Sequence, residues 1–270
     1  MTDTTSGPAI PRPAATIMLI DDRPELQVFM MKRSSQTVFG GMWVFPGGTV
    51  DPDDGERIYE SHCLHRSEDE ASALLEIESG GLAYYIAAMR EAFEEAGILL
   101  ALAGDSHEPL AIKSDATKAR FHTHRQALHA GDLPLSGIID AENLHLDAGA
   151  IHYVARWITP PMVPKRFDTR FFLARMPQVQ DPIHDDKELV NSGWFGPAEL
   201  IERAKAEEIA VMAPTRRMLE SLLPFGDTHL AMAAAAHPRE AVRVPFSDSG
   251  DPRAPDGQPE VQPGWVYLRP

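Results

Sequence analysis

Arg90-Glu91-Ala92-Phe93-Glu94-Glu95-Ala96-Gly97-Ile98, read with Phe45-Pro46-Gly47-Gly48-Thr49-Val50-Asp51 upstream, carries more structural information than any other part of the chain. Leu82, Tyr85, Ile86, Met89, Phe93 and Ala96 recur at three- and four-residue intervals and line one stripe of a helix. Gly97 suits the left-handed turn that ends it. At about 100° per residue, Glu91, Glu94 and Glu95 fall in a band opposite the stripe, as neighbours at i, i+3 and i+4. Three like charges so close repel, which raises their pKa values or splays the side chains. A hard cation removes the repulsion, and carboxylates, carbonyls and water suit Mg²⁺ or Mn²⁺. A glutamate-rich face is most often simply solvated; the glycine turn, able to bring bare backbone close, sets this one apart.

Gly48, an acidic residue six positions on at Asp54, and then Arg90 to Ile98 resemble the Nudix box, Gx5Ex7REUxEExGU with U aliphatic. The second half matches at every fixed position, with Ala92 and Ile98 in the aliphatic slots. The first half departs: Asp51 and Asp54 stand where the family has glutamates, one methylene shorter, and Glu56 offers a substitute if the register slips. The segment from 55 to 89 has 35 residues where the pattern has seven, an insertion of 28. Such an interrupted box is similar to the branch that includes peroxisomal coenzyme A diphosphatases. Further resemblance lies in Arg166 to Phe172 and in the order Glu188, Trp194, Pro214-Thr215.

The fold this resemblance implies is α/β, a Nudix-type α/β/α sandwich with a mixed β-sheet, a helical insertion in the box and a C-terminal extension. The expected organisation is a flexible tail over 1–13, a Nudix hydrolase domain over 14–223 with the insertion at about 55–81, and an extension over 224–270. The implied function is metal-dependent hydrolysis of a nucleoside diphosphate linked to another moiety, with coenzyme A or acyl-coenzyme A first, and NADH-like dinucleotides or nucleoside diphosphate sugars behind. The alternative is a non-catalytic Nudix-fold sensor of a nucleotide ligand, or an interaction module. On this resemblance Glu94 and Glu95 are expected as the principal metal ligands, joined by the Gly47 carbonyl and, from outside the box, Glu188. Glu91 is the base or a further ligand, and Arg90 orients the glutamates as part of the catalytic group.

The rest of the chain bounds these expectations. Its 270 residues can bury a sizeable core, 43% are apolar, and no apolar run is long enough to cross a bilayer. Net charge is −15, from 40 acidic against 25 basic residues. That disfavours nucleic acid, including capped RNA, and anionic membranes, but admits a small phosphorylated substrate where bound cations reverse the local charge. A homodimer is compatible with the sequence. Cys63 is the only cysteine, which excludes an internal disulfide and suits a reducing compartment. With no secretory pattern in Met1 to Pro13 and no peroxisomal tripeptide at the C-terminus, a cytoplasmic location is expected.

Ala14 to Ile20 and Leu26 to Met31 read as strands around a turn at Pro24, and His152 to Ile158 and Phe167 to Ala174 as two more. In the last, Phe167, Thr169, Phe171 and Leu173 share one face, leaving Arg166, Asp168 and Arg170 on the other. Arg166 and Arg170 could grip a phosphate with their guanidinium forks, or form a polar sheet face with an Arg–Asp pair. His62-Cys63-Leu64-His65 lacks the ligands for zinc. The histidines at 107, 122, 124, 129 and 145 have no catalytic spacing. Helices are expected at Pro197, at Pro214-Thr215 and around Ala233 to Ala236, and Gly264 to Leu268 as an edge strand. The insertion, attached beside Asp54, is expected to shape the substrate mouth.

Overall fold

The computed structural model describes residues 9–33, 40–181, 189–237, 242–244 and 264–270. Its centre is β1 (Arg12–Asp22), which takes in the last two residues of the expected tail. β1 lies parallel to β9 (Phe167–Arg175), registered from Arg12 with Phe167 to Ile20 with Arg175. Strands paired this way are buried on both faces and read as continuous apolar runs. Ala15, Ile17 and Leu19 face one core, and Met18 and Ile20 the other.

The far end of β1 pairs with β2 (Leu26–Arg33) and its near end with β4 (Gly47–Thr49), both antiparallel. β2 also carries β3 (Met42–Val44) and β10 (Leu189–Phe195), and β3 carries β11 (Ala210–Val211). Beyond β9 come β8 (Ile151–Ile158), β13 (Gly264–Val266) and β12 (Val242–Val244). β13 is therefore not the edge strand expected from its sequence, because β12 pairs on its outer side. Strands β5 (Cys63–Leu64), β6 (Ala101–Ala103) and β7 (Leu144–Asp147) form a second small sheet, too short to show in sequence periodicity.

Helices cover both faces of the main sheet. On one side lie α1 (Ile58–His62), α2 (Glu68–Leu74), α3 (Gly81–Ala96), α4 (Asp115–Ala130) and α5 (Leu135–Glu142). On the other lie α6 (Pro197–Lys205), α7 (Ala213–Leu222) and α8 (Thr228–Ala235). The sandwich, with its mixed sheet, is the architecture the sequence predicts. Leu82, Tyr85, Ile86, Met89 and Phe93 of α3 pack in one core with Ile17 and Phe172, and Gly97 closes the helix at φ 70°.

The insertion holds α1, β5 and α2, and it starts α3. Gly80 precedes that helix without a side chain to cap it. Glu68 of α2 does so instead, its carboxylate accepting the N–H groups of Gly80, Gly81 (3.1 Å) and Leu82 (2.9 Å) and the Ser72 hydroxyl. Gly81 must be a glycine, since a Cβ there would overlap the Ser72 backbone. Although burial alone would raise it, these bonds hold the Glu68 carboxyl below its ordinary value. Glu68→Ala is expected to lower stability by about 1–2 kcal/mol, the scale of a lost N-cap plus an anion at a helix start. Urea titrations of the two proteins at pH 7 measure the difference, and converge as pH falls and the wild-type carboxylate protonates.

Candidate active site

The site forms where the C-terminal half of α3 crosses the edge of β4. Ile17 N–H donates to Pro46 C=O and Val50 N–H to Pro13 C=O, and Gly48 sits opposite Ala15 between them. In an antiparallel pair the intervening residues turn their N–H and C=O outward. Gly47 and Thr49 are those residues. The Gly47 N–H meets Glu95 Oε2 at 2.9 Å, and the Thr49 carbonyl accepts Arg90 Nη2 at 2.9 Å. The Gly47 carbonyl is thereby turned to the same outer side, facing the helix's acids. Both glycines are required by space. A Cβ on Gly47 would strike the Ala15 carbonyl and Thr16 Oγ1, and one on Gly48 would collide with the Glu91 carboxylate.

Arg90 organises the acids. Its Nε and Nη2 reach Asp54 Oδ1 and Oδ2 at 2.8 and 3.0 Å, and Nη2 also reaches Thr49 O. Its Nη1 donates to Glu91 Oε1 at 2.9 Å and Glu94 Oε1 at 3.0 Å. All five guanidinium N–H groups are thus used, and the surrounding carboxylates hold the group charged. In this geometry Arg90 positions the acids. Asp54, 2% exposed and also accepting the Asp51 N–H at 2.8 Å, anchors Arg90. Glu56 is exposed and does not replace it.

The three glutamates do not form the solvated face that helical geometry alone suggests. Their neighbours α2 and α4 leave α3 buried on most sides, and the Glu91 and Glu94 side chains are only 13% and 17% exposed. Burial, only partly offset by Arg90, pushes the Glu91 carboxyl up to about 7. Arg125 of α4, 3% exposed, fixes the end of the helix, with Nε donating to Glu94 O at 2.7 Å and Nη2 to Glu95 O at 3.2 Å. A cation suits a helix C-terminus. Arg125 was legible as a basic residue between Phe121 and Leu128 on the apolar stripe of α4, a core-facing position.

The donor set fits a hard divalent cation. No three acidic or imidazole side chains among the described residues converge with ready-made ligand spacing. Mg²⁺, however, takes one or two carboxylates and completes its shell with carbonyl, water and phosphate oxygens. Glu94, Glu95 and the outward Gly47 carbonyl supply that combination, with Glu91 beside them. Glu188 lies outside the described residues.

The arginines of β9 are placed differently from the phosphate grip considered for them. Arg170, 1% exposed, pairs with Asp168 and lies 5.3 Å over the Tyr84 ring, and Asp168 is further held by Arg156 at 2.9 Å. This is the buried Arg–Asp pair of the alternative reading. Arg166 donates to the backbone carbonyls of Thr159 and Ala9. Neither joins the glutamates, because β1 separates β9 from β4.

A cavity of about 350 Å³ shares Gly47 and Gly48 with the acidic site and extends over the opposite face of the sheet. Phe45, Trp157, Phe167, Phe171, Met212 and Pro214 are among its walls, with Arg33, Thr169 and Thr215 adding polar groups. No residue of the insertion lines it, so the expectation that the insertion shapes this mouth is not met. The insertion packs instead on the start of α3.

Helix-borne carboxylates locked over a glycine strand edge, on a mixed sheet with helices on both faces, define the Nudix class. Residues 61–220 match the family described as the NUDT19 Nudix domain, and the chain belongs to that family. It is 25% identical over 233 residues to the acyl-coenzyme A diphosphatase NUDT19 of Xenopus laevis, across 74% of this chain and 60% of that protein. It is 30% identical over 159 residues to the Homo sapiens protein of the same name, across 55% and 42%. The chain thus spans about 60% or less of the length of these curated relatives. The crystal structure of a NUDIX hydrolase from Alicyclobacillus acidocaldarius superposes with a TM-score of 0.64 at 27% identity, covering 83% of this chain and 96% of that one.

A pH test follows from Glu91. Its carboxyl lies near 7 in the folded, ion-free protein against 4.5 ordinarily, so between these values the native state holds the extra proton. The resulting stability is complete below about pH 4.5 and is lost as pH rises through about 7, on the order of 2–3 kcal/mol. Ion-free wild type is therefore expected to lose stability relative to Glu91→Gln across that window, and thermal unfolding in chelator at several pH values measures it. A constant difference between the two proteins would contradict the assignment.

Proposed function

We propose that the chain hydrolyses the P–O–P linkage of coenzyme A or an acyl-coenzyme A, using Mg²⁺ or Mn²⁺ held by Glu94, Glu95, Glu91 and the Gly47 carbonyl. The observation that carries this reading is the set of acids, ordered by Arg90, against the outward backbone of Gly47 at the mouth of an apolar cavity. A bound divalent ion neutralises phosphate oxygens and lowers the pKa of water at neutral pH. Glu91, set beside them by the Arg90 guanidinium, either completes the ion's shell or accepts a proton from the attacking water. Gly48 leaves room for that carboxylate, and Arg90 fixes its direction.

The cavity supports the choice of substrate. Its walls are mainly aromatic and aliphatic, which suits an arm of methylenes and amides better than a sugar bearing many hydroxyls. The Trp157 indole N–H, buried and without a partner among the described residues, offers one donor to an amide carbonyl. Relatives named acyl-coenzyme A diphosphatases point the same way.

Mass-spectrometric analysis of products from coenzyme A, acyl-coenzyme A, NADH and a nucleoside diphosphate sugar, with Mg²⁺ and with Mn²⁺, tests the proposal. The coenzyme A compounds should have the highest kcat/KM, by tenfold or more over the sugar. Trp157→Phe should raise KM for them about three- to tenfold with kcat within twofold, the effect of one lost hydrogen bond. Preference for the nucleoside diphosphate sugar would refute the substrate assignment.

A further inference from the structure

A second cavity, of about 340 Å³, lies between the insertion, β8, the end of α8 and the C-terminal segment, and shares no lining residue with the first. Arg66 and Leu74 come to it from the insertion, Tyr85 from α3, His152 and Tyr153 from β8, and Leu268 from the C-terminal segment. One of its groups lacks the partner that buried polar groups ordinarily have, and a second, the half-buried Arg66, is a guanidinium. Tyr85 is 0% exposed and its hydroxyl has no hydrogen-bond partner among the described residues. Arg66 lays its guanidinium 4.9 Å over the Tyr85 ring and donates Nε to Ala148 O at 3.3 Å, but forms no ion pair among the described residues. Its two terminal NH₂ groups are the fork that recognises a carboxylate.

We infer that this cavity is a binding site for a small organic carboxylate, which would meet the Arg66 guanidinium and the Tyr85 hydroxyl while its apolar body lies against Leu74, Val154 and Leu268. The charge balance favours one negative charge. Burial and the nearby Arg66 lower the pKa of His152, so it adds a neutral imidazole; His237 brings a second imidazole to the wall, its Nδ1 on Ala233 O, and Glu76 there disfavours a dianion. This inference does not depend on the proposed hydrolysis. None of its residues belongs to the glutamate site, although Tyr85 sits on the same helix, six residues before Glu91.

Calorimetric titration of the full chain with hexanoate and, separately, with inorganic phosphate tests it, alongside Arg66→Met and Tyr85→Phe. Tyr85→Phe keeps the ring tilted against Phe172 and guards against a folding artefact in the arginine variant. Saturable hexanoate binding is expected, weakened at least tenfold by Arg66→Met and several-fold by Tyr85→Phe, with phosphate at least tenfold weaker than hexanoate. Absence of saturable binding, as when only water or the chain's own residues fill the cavity, would overturn the site. So would wild-type affinity in both variants, or phosphate binding as tightly as hexanoate.

Discussion

Glu95→Gln is expected to lower kcat for diphosphate hydrolysis by about 10²–10³-fold while leaving the unfolding free energy within about 1 kcal/mol of wild type. The side chain accepts the Gly47 N–H through Oε2, and a glutamine oxygen can still do so. The strand edge therefore keeps its place. What is lost is the negative charge that would hold an ion against the developing charge on the phosphates. Removing one electrostatic element of that kind costs on the order of 3–4 kcal/mol of transition-state stabilisation. Steady-state rates at saturating Mn²⁺, with urea titration as a folding control, measure both halves. A kcat within threefold of wild type would remove Glu95 from the ion site, and equally poor hydrolysis by wild type and variant would favour the alternative of a ligand sensor.

The second large effect is structural. Arg90→Met should destabilise the ion-free protein by about 3–5 kcal/mol, the cost of leaving buried charges without their partner. Asp54 loses both guanidinium bonds, Glu91 and Glu94 lose the donor they share, and the Thr49 carbonyl loses Nη2. Arg90→Lys should recover little, since one ammonium with three donors cannot span acids on α3, the 3-10 turn at Pro52–Gly55 and β4 together. Urea unfolding in chelator measures the loss. Because the arginine also separates like charges, divalent ion should restore part of the stability of Arg90→Met. A change below about 1 kcal/mol would mean that Asp54 and the glutamates are solvated enough to do without it.

These two residues show what can be read from sequence here. The box helix, its glycine stop and the glutamates on it are local signals: periodicity of 3.6, a residue able to take positive φ, and i, i+3, i+4 neighbours. β1 is readable for the same reason, as an apolar run in a sheet buried on both faces. What stays hidden depends on contacts between residues distant in the chain. Asp54 matches an acidic position of the box, yet its shorter side chain is used by Arg90, 36 residues on. Glu68 caps a helix whose first turn is 12 to 14 residues away. The place of Arg125 between Phe121 and Leu128 marks it as core-facing, but only α3 supplies the carbonyls it holds. The alternation in β9 was read correctly, but only the packing of Tyr84 and Arg156 decides that Arg170 is a buried partner of Asp168.

The central claim is that Glu91, Glu94, Glu95 and the Gly47 carbonyl together hold a divalent ion against a diphosphate. Anomalous diffraction at the manganese edge, from crystals grown with Mn²⁺ and a non-hydrolysable coenzyme A analogue, addresses it directly. The account predicts a peak about 2.0–2.4 Å from a carboxylate oxygen of Glu94 or Glu95 and from Gly47 O, shared with a phosphate oxygen of the analogue. A manganese peak elsewhere with this pocket lacking one, or an analogue bound with its diphosphate away from Gly47, would contradict it.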